Sequence, residues 1–324
     1  LKKFKKLKIS LIGNLSSKFI NIAVNLALVP LLLYLLGEEK YGVWLTIYSF
    51  VGWLNVFDLG LGNGLKLKLT ESFSKNRKND IITFISSSYI IFGMIFISVT
   101  ILYFISTFLI EWDLLLGISS YEDSDIKISL HVLIFSFMFI LFLKLIGVIY
   151  SSLQLPHVDN LIRTSGQLLF LILLIVLIFF EIKSSILCVA IASVLPLIII
   201  YIIVNINLFF FRAPFLCISF NNFSFEKTKE ILYPGLGFFL IQISSVVLYS
   251  TDNLIIINLL SSYDVTIYNI SYKFFGLPFL IYTLYIATHW PIFIDALTNN
   301  NHIWISQKIK LFKKLFFFLV ITYV

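Results

Sequence analysis

Long apolar runs separated by short polar clusters fill this chain. Read in order, they predict helical spans near residues 9–36, 42–64, 81–109, 127–150, 162–181, 185–211, 231–260 and 265–294, with a ninth starting near 315. The runs are continuous rather than alternating, which argues against the strands of a β-barrel. A helix needs about 20 apolar residues to cross the hydrocarbon layer, and the complete runs meet that length. The fold class read from the pattern is all-α, a polytopic helical membrane protein. Lys2, Lys3, Lys5, Lys6 and Lys8 precede the first run, but no short apolar core with a small-residue cleavage site follows, so the start reads as an uncleaved span.

Composition agrees with the pattern. Of 324 residues, 59% are hydrophobic and 13% charged, about half the roughly 25% charge of a soluble domain. Mean hydropathy is +0.98. No single globular core could hide so much apolar surface, whereas a bilayer solvates it. The net charge of +7 changes the picture only through its placement. Lys and Arg on alternate connections split 18 to 3: Lys66, Lys68, Lys75, Arg77, Lys78, Arg163, Arg212, Lys227, Lys229, Lys308, Lys310, Lys313 and Lys314 join the five N-terminal lysines, against Lys40, Lys127 and Lys183. The sparse side also holds Glu111, Asp113, Glu122, Asp123 and Asp125. This bias predicts a cytoplasmic N-terminus. The basic residues flank spans with no soluble domain to present them, so they read as contacts to anionic membrane lipids and not to nucleic acid.

Charged residues inside spans carry the chemistry. Lys18, Lys144, Lys273, Asp58 and Asp252 fall within apolar runs, where each costs roughly 2.5–3.5 kcal/mol on insertion scales. Asn14, Lys18, Asn21 and Asn25 are spaced by four, three and four, one face of the first helix, with Ser10 and Ser17 at its border. Such a stripe reads as the lining of a polar cavity, with Asn-mediated helix packing as the bland reading. Gln242, Ser245, Tyr249 and Asp252 repeat the pattern in the seventh span; Lys144, Gly147, Ser151 and Gln154 do so in the fourth, where Lys144 could instead snorkel to the cytoplasmic surface. Pro30, Pro196, Pro278 and Pro291 predict bent helices.

Other signals come to nothing. Gly60, Gly62 and Gly64 in DLGLGNG fit neither dinucleotide-binding nor P-loop spacing; they read as a loosened helix end whose freed amides Asp58 could accept. Cys188, Cys217 and the four histidines show no metal spacing, and no catalytic set or cofactor site is indicated. Leu35-Leu36-Gly37 with Tyr41, and Leu259-Leu260-Ser261 with Tyr268, form a faint repeat that places the second half of the protein at span seven. Two domains are therefore expected, 1–212 as a six-helix bundle and 213–324 as the start of a second, with about three spans absent.

Residues 35–71, LLGEEKYGVWLTIYSFVGWLNVFDLGLGNGLKLKLTE, resemble the start of the bacterial polysaccharide transporter family, the O-antigen and capsule repeat-unit flippases. SSLQLPHVDNLIRTSGQLL at 151–169 resembles that family's fourth-to-fifth span connection, and Ser250 to Leu260, with Tyr268 to Lys273 and Pro291, its seventh and eighth spans. The resemblance implies a two-bundle exporter fold of the multidrug/oligosaccharidyl-lipid/polysaccharide exporter superfamily in the bacterial cytoplasmic membrane. The implied cargo is a lipid-linked oligosaccharide on undecaprenyl pyrophosphate, with a glycan polymerase and a chain-length regulator as implied partners. Joined to the stripes, it assigns Asn14, Lys18, Asn21, Asn25, Lys144, Gln242 and Lys273 to the substrate cavity, and Asp58 and Asp252 to ion pairing or cation coupling. The rival within the superfamily is a cation-coupled drug exporter. From another class, an integral glycan polymerase should carry Arg clusters or an acidic metal-binding motif in a large outward loop, and the connection at 110–126 has no Arg.

Overall fold

The computed structural model describes residues 2–118, 124–153, 155–182, 185–216, 218–298 and 302–323, with side chains from Ser16 onward except at Asp113, Pro156, Tyr249, 280–281, 283–298 and 319–323. The described residues form helices and connecting turns. Six segments are long and apolar enough to cross a membrane: Ser16–Asp58, Lys78–Ser106, Ser124–Ser152, His157–Phe179, Ile186–Arg212 and Phe225–Leu259. The chain is a multi-pass helical membrane protein.

The first two expected spans are continuous in α1, Lys2–Trp53, broken only at Gly37, whose φ of 75° lies in the left-handed region that glycine enters without penalty. The second span does not run unbroken to residue 64. It passes into a 3₁₀ turn, Leu54–Asp58, reverses through Leu59 and Gly60 at φ 51° and 69°, and restarts as α2, Leu61–Ser74. Asp58 caps the restart by accepting the Gly62 amide at 2.9 Å, so the glycine-rich stretch is a helix junction.

Next come α3, Lys78–Ser106, the single turn α4, Trp112–Leu115, and α5, Ser124–Leu143, interrupted at Lys144 before α6, Leu145–Ser152. They are followed by α7, Pro156–Phe179, with proline at its first turn, and α8, Ile186–Ile206, opened by Ser185 accepting the Cys188 amide and continued by a π-helical turn, Asn207–Arg212. The seventh span begins six residues earlier than the apolar run suggests. Ser224 accepts the Lys227 amide and starts α9, Phe225–Ser250, ahead of the apolar residues. At Thr251 the hydroxyl turns back to the Val247 carbonyl at 2.5 Å, and the span resumes as α10, Asp252–Leu259. Then follow α11, Ser262–Thr298, and α12, His302–Tyr323, the latter starting 13 residues before the expected ninth span.

The chain divides into two compact units, Leu1–Thr266 and Ile267–Val324. In the second, Tyr268 stacks on Tyr272 and Tyr282 meets Phe316, which joins α11 to α12. In the first, α9 and α10 pack against the segment 38–74 in opposite directions. Glu38 meets Thr266, Ser49 meets Asn253, Trp53 meets Ser250 and Lys68 meets Glu230. Glycines allow the approach: a methyl at Gly42 would overlap the Ser262 carbonyl, at Gly60 that of Gly235, and at Gly64 that of Ile231. Small residues let membrane helices gain dispersion contacts that lipid would otherwise supply. The core is one cluster running from Val24 on α1 to Val265 on α11, including Tyr41, Leu65, Ile85, Leu133, Ile149 and Leu174.

The described connections on the Lys-rich side meet at one end of this unit. Ser152 donates to the Lys66 carbonyl at 3.4 Å, Lys68 pairs with Glu230 at 3.3 Å, and Lys227 pairs with Asp80 at 3.4 Å. There Lys75 bonds the Glu71 carboxylate and holds its pKa below the usual value. Gly117, from the acidic connection, lies against Asn258 and Ile257 near the end of α10.

Candidate functional site

On α1 the buried line is Ser17, Val24, Leu28, Leu32 and Leu36. It packs on α7, where the Thr164 hydroxyl reaches the Ser17 carbonyl at 3.4 Å. The polar stripe lies one position around the helix, at the edge of this face. Lys18 and Asn21 are half-buried and Asn25 is exposed, its amide donating to the Asn21 carbonyl at 2.8 Å. The side chain of Asn14 lies outside the described residues. The Asn21 side-chain oxygen is buried and accepts no hydrogen bond.

That orphan has company. On α7, Asp159 and Gln167 each bury an oxygen without a hydrogen-bond partner, as does Gln242 on α9. Leaving a buried acceptor unmade costs about 1–3 kcal/mol, so these oxygens stand out within the first unit. Asp159, Arg163 and Gln167, spaced by four, form a polar face on the fifth span. The expected start of that span at 162 left Asp159 outside the helix and Arg163 at its border, so the face went unread. The spacing itself was the available signal.

Lys144, expected in the cavity lining, forms an ion pair. Its Nζ lies 3.6 Å from Asp58 Oδ2, with the two side chains 18% and 8% exposed. Asp58 thus serves an ion pair and a helix start at once. Nearby, the Asp159 carboxylate fills the space a side chain at Gly147 would occupy, and it bonds Arg163 at 3.1 Å. Gly147 admits a carboxylate rather than a neighbouring backbone. Carboxylates and cations from spans two, four and five therefore neutralise one another in pairs.

Gln242 is half-buried, while Ser245 donates back to the Ile241 carbonyl at 2.9 Å, so the seventh-span stripe is partly spent on its own helix. Asp252 is half-buried at the start of α10. Lys273, on α11 in the second unit, is half-buried. The structure thus brings together Lys144 and Asp58 among the expected residues, and places Asn21 beside the α1–α7 contact. No group of three metal-ligating side chains occurs among the described residues.

The sequence family matches this architecture. A model described as polysaccharide biosynthesis protein matches residues 10–296. The chain belongs to the polysaccharide biosynthesis protein family. Among relatives of this family, a Salmonella typhi protein named "Putative O-antigen transporter" is 26% identical over 280 residues, covering 85% of this chain and 62% of its own length. A Yersinia pseudotuberculosis protein named "Putative O-antigen export protein" is 28% identical over 291 residues, 86% of this chain and 63% of its own. The chain therefore spans about three-fifths of the curated relatives it matches. Solved structures share the fold. An inward-facing multidrug resistance MATE family transporter of the MOP superfamily superposes with a TM-score of 0.70 at 19% identity, covering 90% of this chain and 67% of that one. A MOP superfamily transporter from Pyrococcus furiosus, titled for the reversed polarity of its binding pocket, gives 0.62 at 18% identity over 95% and 74%.

Proposed function

We propose that the protein is a flippase that carries oligosaccharide repeat units on undecaprenyl pyrophosphate from the inner to the outer leaflet of the bacterial cytoplasmic membrane, with its N-terminus cytoplasmic. The observation that carries the reading is the set of orphaned amide oxygens at Asn21, Gln167 and Gln242 within the spans. Sugar hydroxyls are donors that such acceptors lack. A glycan head cannot enter hydrocarbon without replacing its water, and a rocking pair of bundles offers a wet path for it. Residues 213–324 would begin the second bundle, and Lys18 would meet the phosphates. Lys144 contributes less charge than its position in a span implies, because Asp58 neutralises it. The membrane lipids and, in the same pathway, a glycan polymerase and chain-length regulator are the partners of this reading. No covalent chemistry is assigned to the chain itself.

The test is surface glycan export by the full-length protein carrying Lys18→Ala, Asn21→Leu or Gln242→Leu. Export falls in all three if the polar faces hold the cargo; normal export in all three refutes the reading. The competing reading, a drug exporter, is favoured by a fold shared with multidrug transporters. The paired carboxylates weigh against it: both Asp58 and Asp159 already face cations, which leaves little acidic surface for a cationic drug. Drug susceptibility of a deletion strain separates the two.

A further inference from the structure

Two adjoining pockets are lined by residues other than those of the polar faces described above. The larger, about 620 Å³, is walled by Phe50 and Trp53 of α1, Phe57 of the 3₁₀ turn, Leu102 of α3, and Val246 and Val247 of α9. The smaller, about 190 Å³, is lined by Thr107, Glu111, Lys127 and His131. Ile110 and Trp112 line both. Between the chambers stands an aromatic partition. The Trp112 ring lies 5.4 Å from that of Phe50 and 5.5 Å from that of Tyr103, and the Tyr103 hydroxyl shares a hydrogen bond of 2.6 Å with His131 Nδ1.

The larger chamber is chemically dry. Its few polar side-chain groups are already engaged: the Trp53 indole donates to the Ser250 carbonyl, Trp112 to the Ser106 hydroxyl, Ser106 to the Tyr103 carbonyl, and Tyr103 is bonded to His131. A water held inside needs two to four polar partners, which this wall does not leave open. At about 620 Å³ the pocket, open on one side, has the size of a ligand site and a wall that suits hydrocarbon. The smaller pocket, about 190 Å³ and also open on one side, has room for about six waters at about 30 Å³ each, enough to seat a phosphate. The Lys127 ammonium, which already has a protein partner, and the Nε2 side of His131 line this space as donors for phosphate oxygens, and the Glu111 carboxylate and Thr107 as acceptors for hydroxyls. A donor pair beside an acceptor pair matches a glycosyl phosphate better than a bare anion.

We propose that the two chambers form one site for the prenyl-phosphate end of the cargo, with isoprenoid chain in the apolar chamber and the phosphate and first sugar against Lys127, His131 and Glu111. This rests on the flippase reading and adds to it a place for the lipid end, at the acidic-connection side of the unit. The site is an exit station: the linked head reaches it from the polar path while the chain stays in a hydrocarbon surrounding.

The full-length protein in nanodiscs of phosphatidylethanolamine and phosphatidylglycerol tests it, with a polyprenyl phosphoryl sugar bearing a diazirine on its chain as probe and phosphatidylglycerol bearing the same diazirine as control. The glycolipid should label Val99, Leu102 or Val246 in preference to the control. Val246→Trp, which fills the apolar chamber, should lower that labelling about tenfold, and Lys127→Gln should weaken it for the phosphoryl sugar but not for the free polyprenol. Val99→Trp fills the same chamber from α3 and stands in if Val246→Trp fails to fold. Equal labelling by phosphatidylglycerol, or labelling unmoved by the filled chamber, overturns the site. Glycan export is read separately in cells. A protein that exports glycan yet labels elsewhere loses this site and keeps its function, and one that labels here but exports nothing loses the function.

Discussion

Two polar seams of the first unit use the same kinds of side chain to opposite ends. Where 38–68 runs against 230–266, several polar groups are matched: Asn253 donates to the Ser49 hydroxyl at 2.5 Å and the Leu45 carbonyl at 3.4 Å, Thr266 to the Glu38 carbonyl at 2.7 Å, and Asp58 holds both Lys144 and a helix amide, with Gln242 the exception. Glycines bring the backbones together until a single methyl would collide. Along α1 and α7, by contrast, Asn21, Asp159 and Gln167 bury oxygens that nothing in the described structure satisfies. Matched polar groups hold helices together, and under the flippase proposal the unmatched ones would meet cargo.

The contrast can be broken in several ways. The largest effect belongs to the Asp58–Lys144 pair. Removing either partner by Asp58→Ala or Lys144→Ala strands the other charge and should cost about 3–5 kcal/mol; the double variant Asp58→Leu/Lys144→Met should recover most of it. Reversible unfolding in mixed micelles measures both, and additive losses in the double variant would show that the pair is not coupled. Next comes the glycine seam. Gly60→Val or Gly64→Val forces a side chain into the facing carbonyl, with an expected loss of about 1–3 kcal/mol, read as a lower unfolding midpoint. Gly237→Val, where nothing faces the added carbon, serves as the control.

The orphaned oxygens should behave in the reverse sense. Asn21→Leu or Gln242→Leu removes an unmet acceptor, so stability should stay level or rise by up to about 1–3 kcal/mol while export falls. A variant that loses stability instead would place that amide in the structural class. The smallest effect is expected for Asn253→Ala, which deletes an interhelical hydrogen bond worth about 0.6 kcal/mol in a membrane and should leave export intact.

Much of this was legible before any coordinates, for a specific reason. Apolar runs had to be about 20 residues long whatever they touched, so the transmembrane segments could be read from the pattern alone. The junction at Asp58 to Gly64 was readable because it is local: an acid followed four residues later by an unpaired amide is a relation within one turn. The break at Thr251 and the early start of α9 were not, because these boundaries depend on side chains that cap or turn back rather than on hydropathy. The face of Asp159, Arg163 and Gln167 was missed by a misplaced helix start, not by lack of signal.

Composition and periodicity alone determined that this chain is an all-helical membrane protein and which residues are too polar for the places they occupy. The bilayer enforces both residue by residue, through the cost of each group in hydrocarbon. Only the tertiary structure decided what each polar residue is for. Lys144 meets a carboxylate 86 positions away and Ser49 an amide 204 positions away, while the Asn21 side-chain oxygen accepts from no described residue. Hydrogen bonds and ion pairs act over a few ångströms of space, and no spacing along the chain encodes which distant helix will supply the partner.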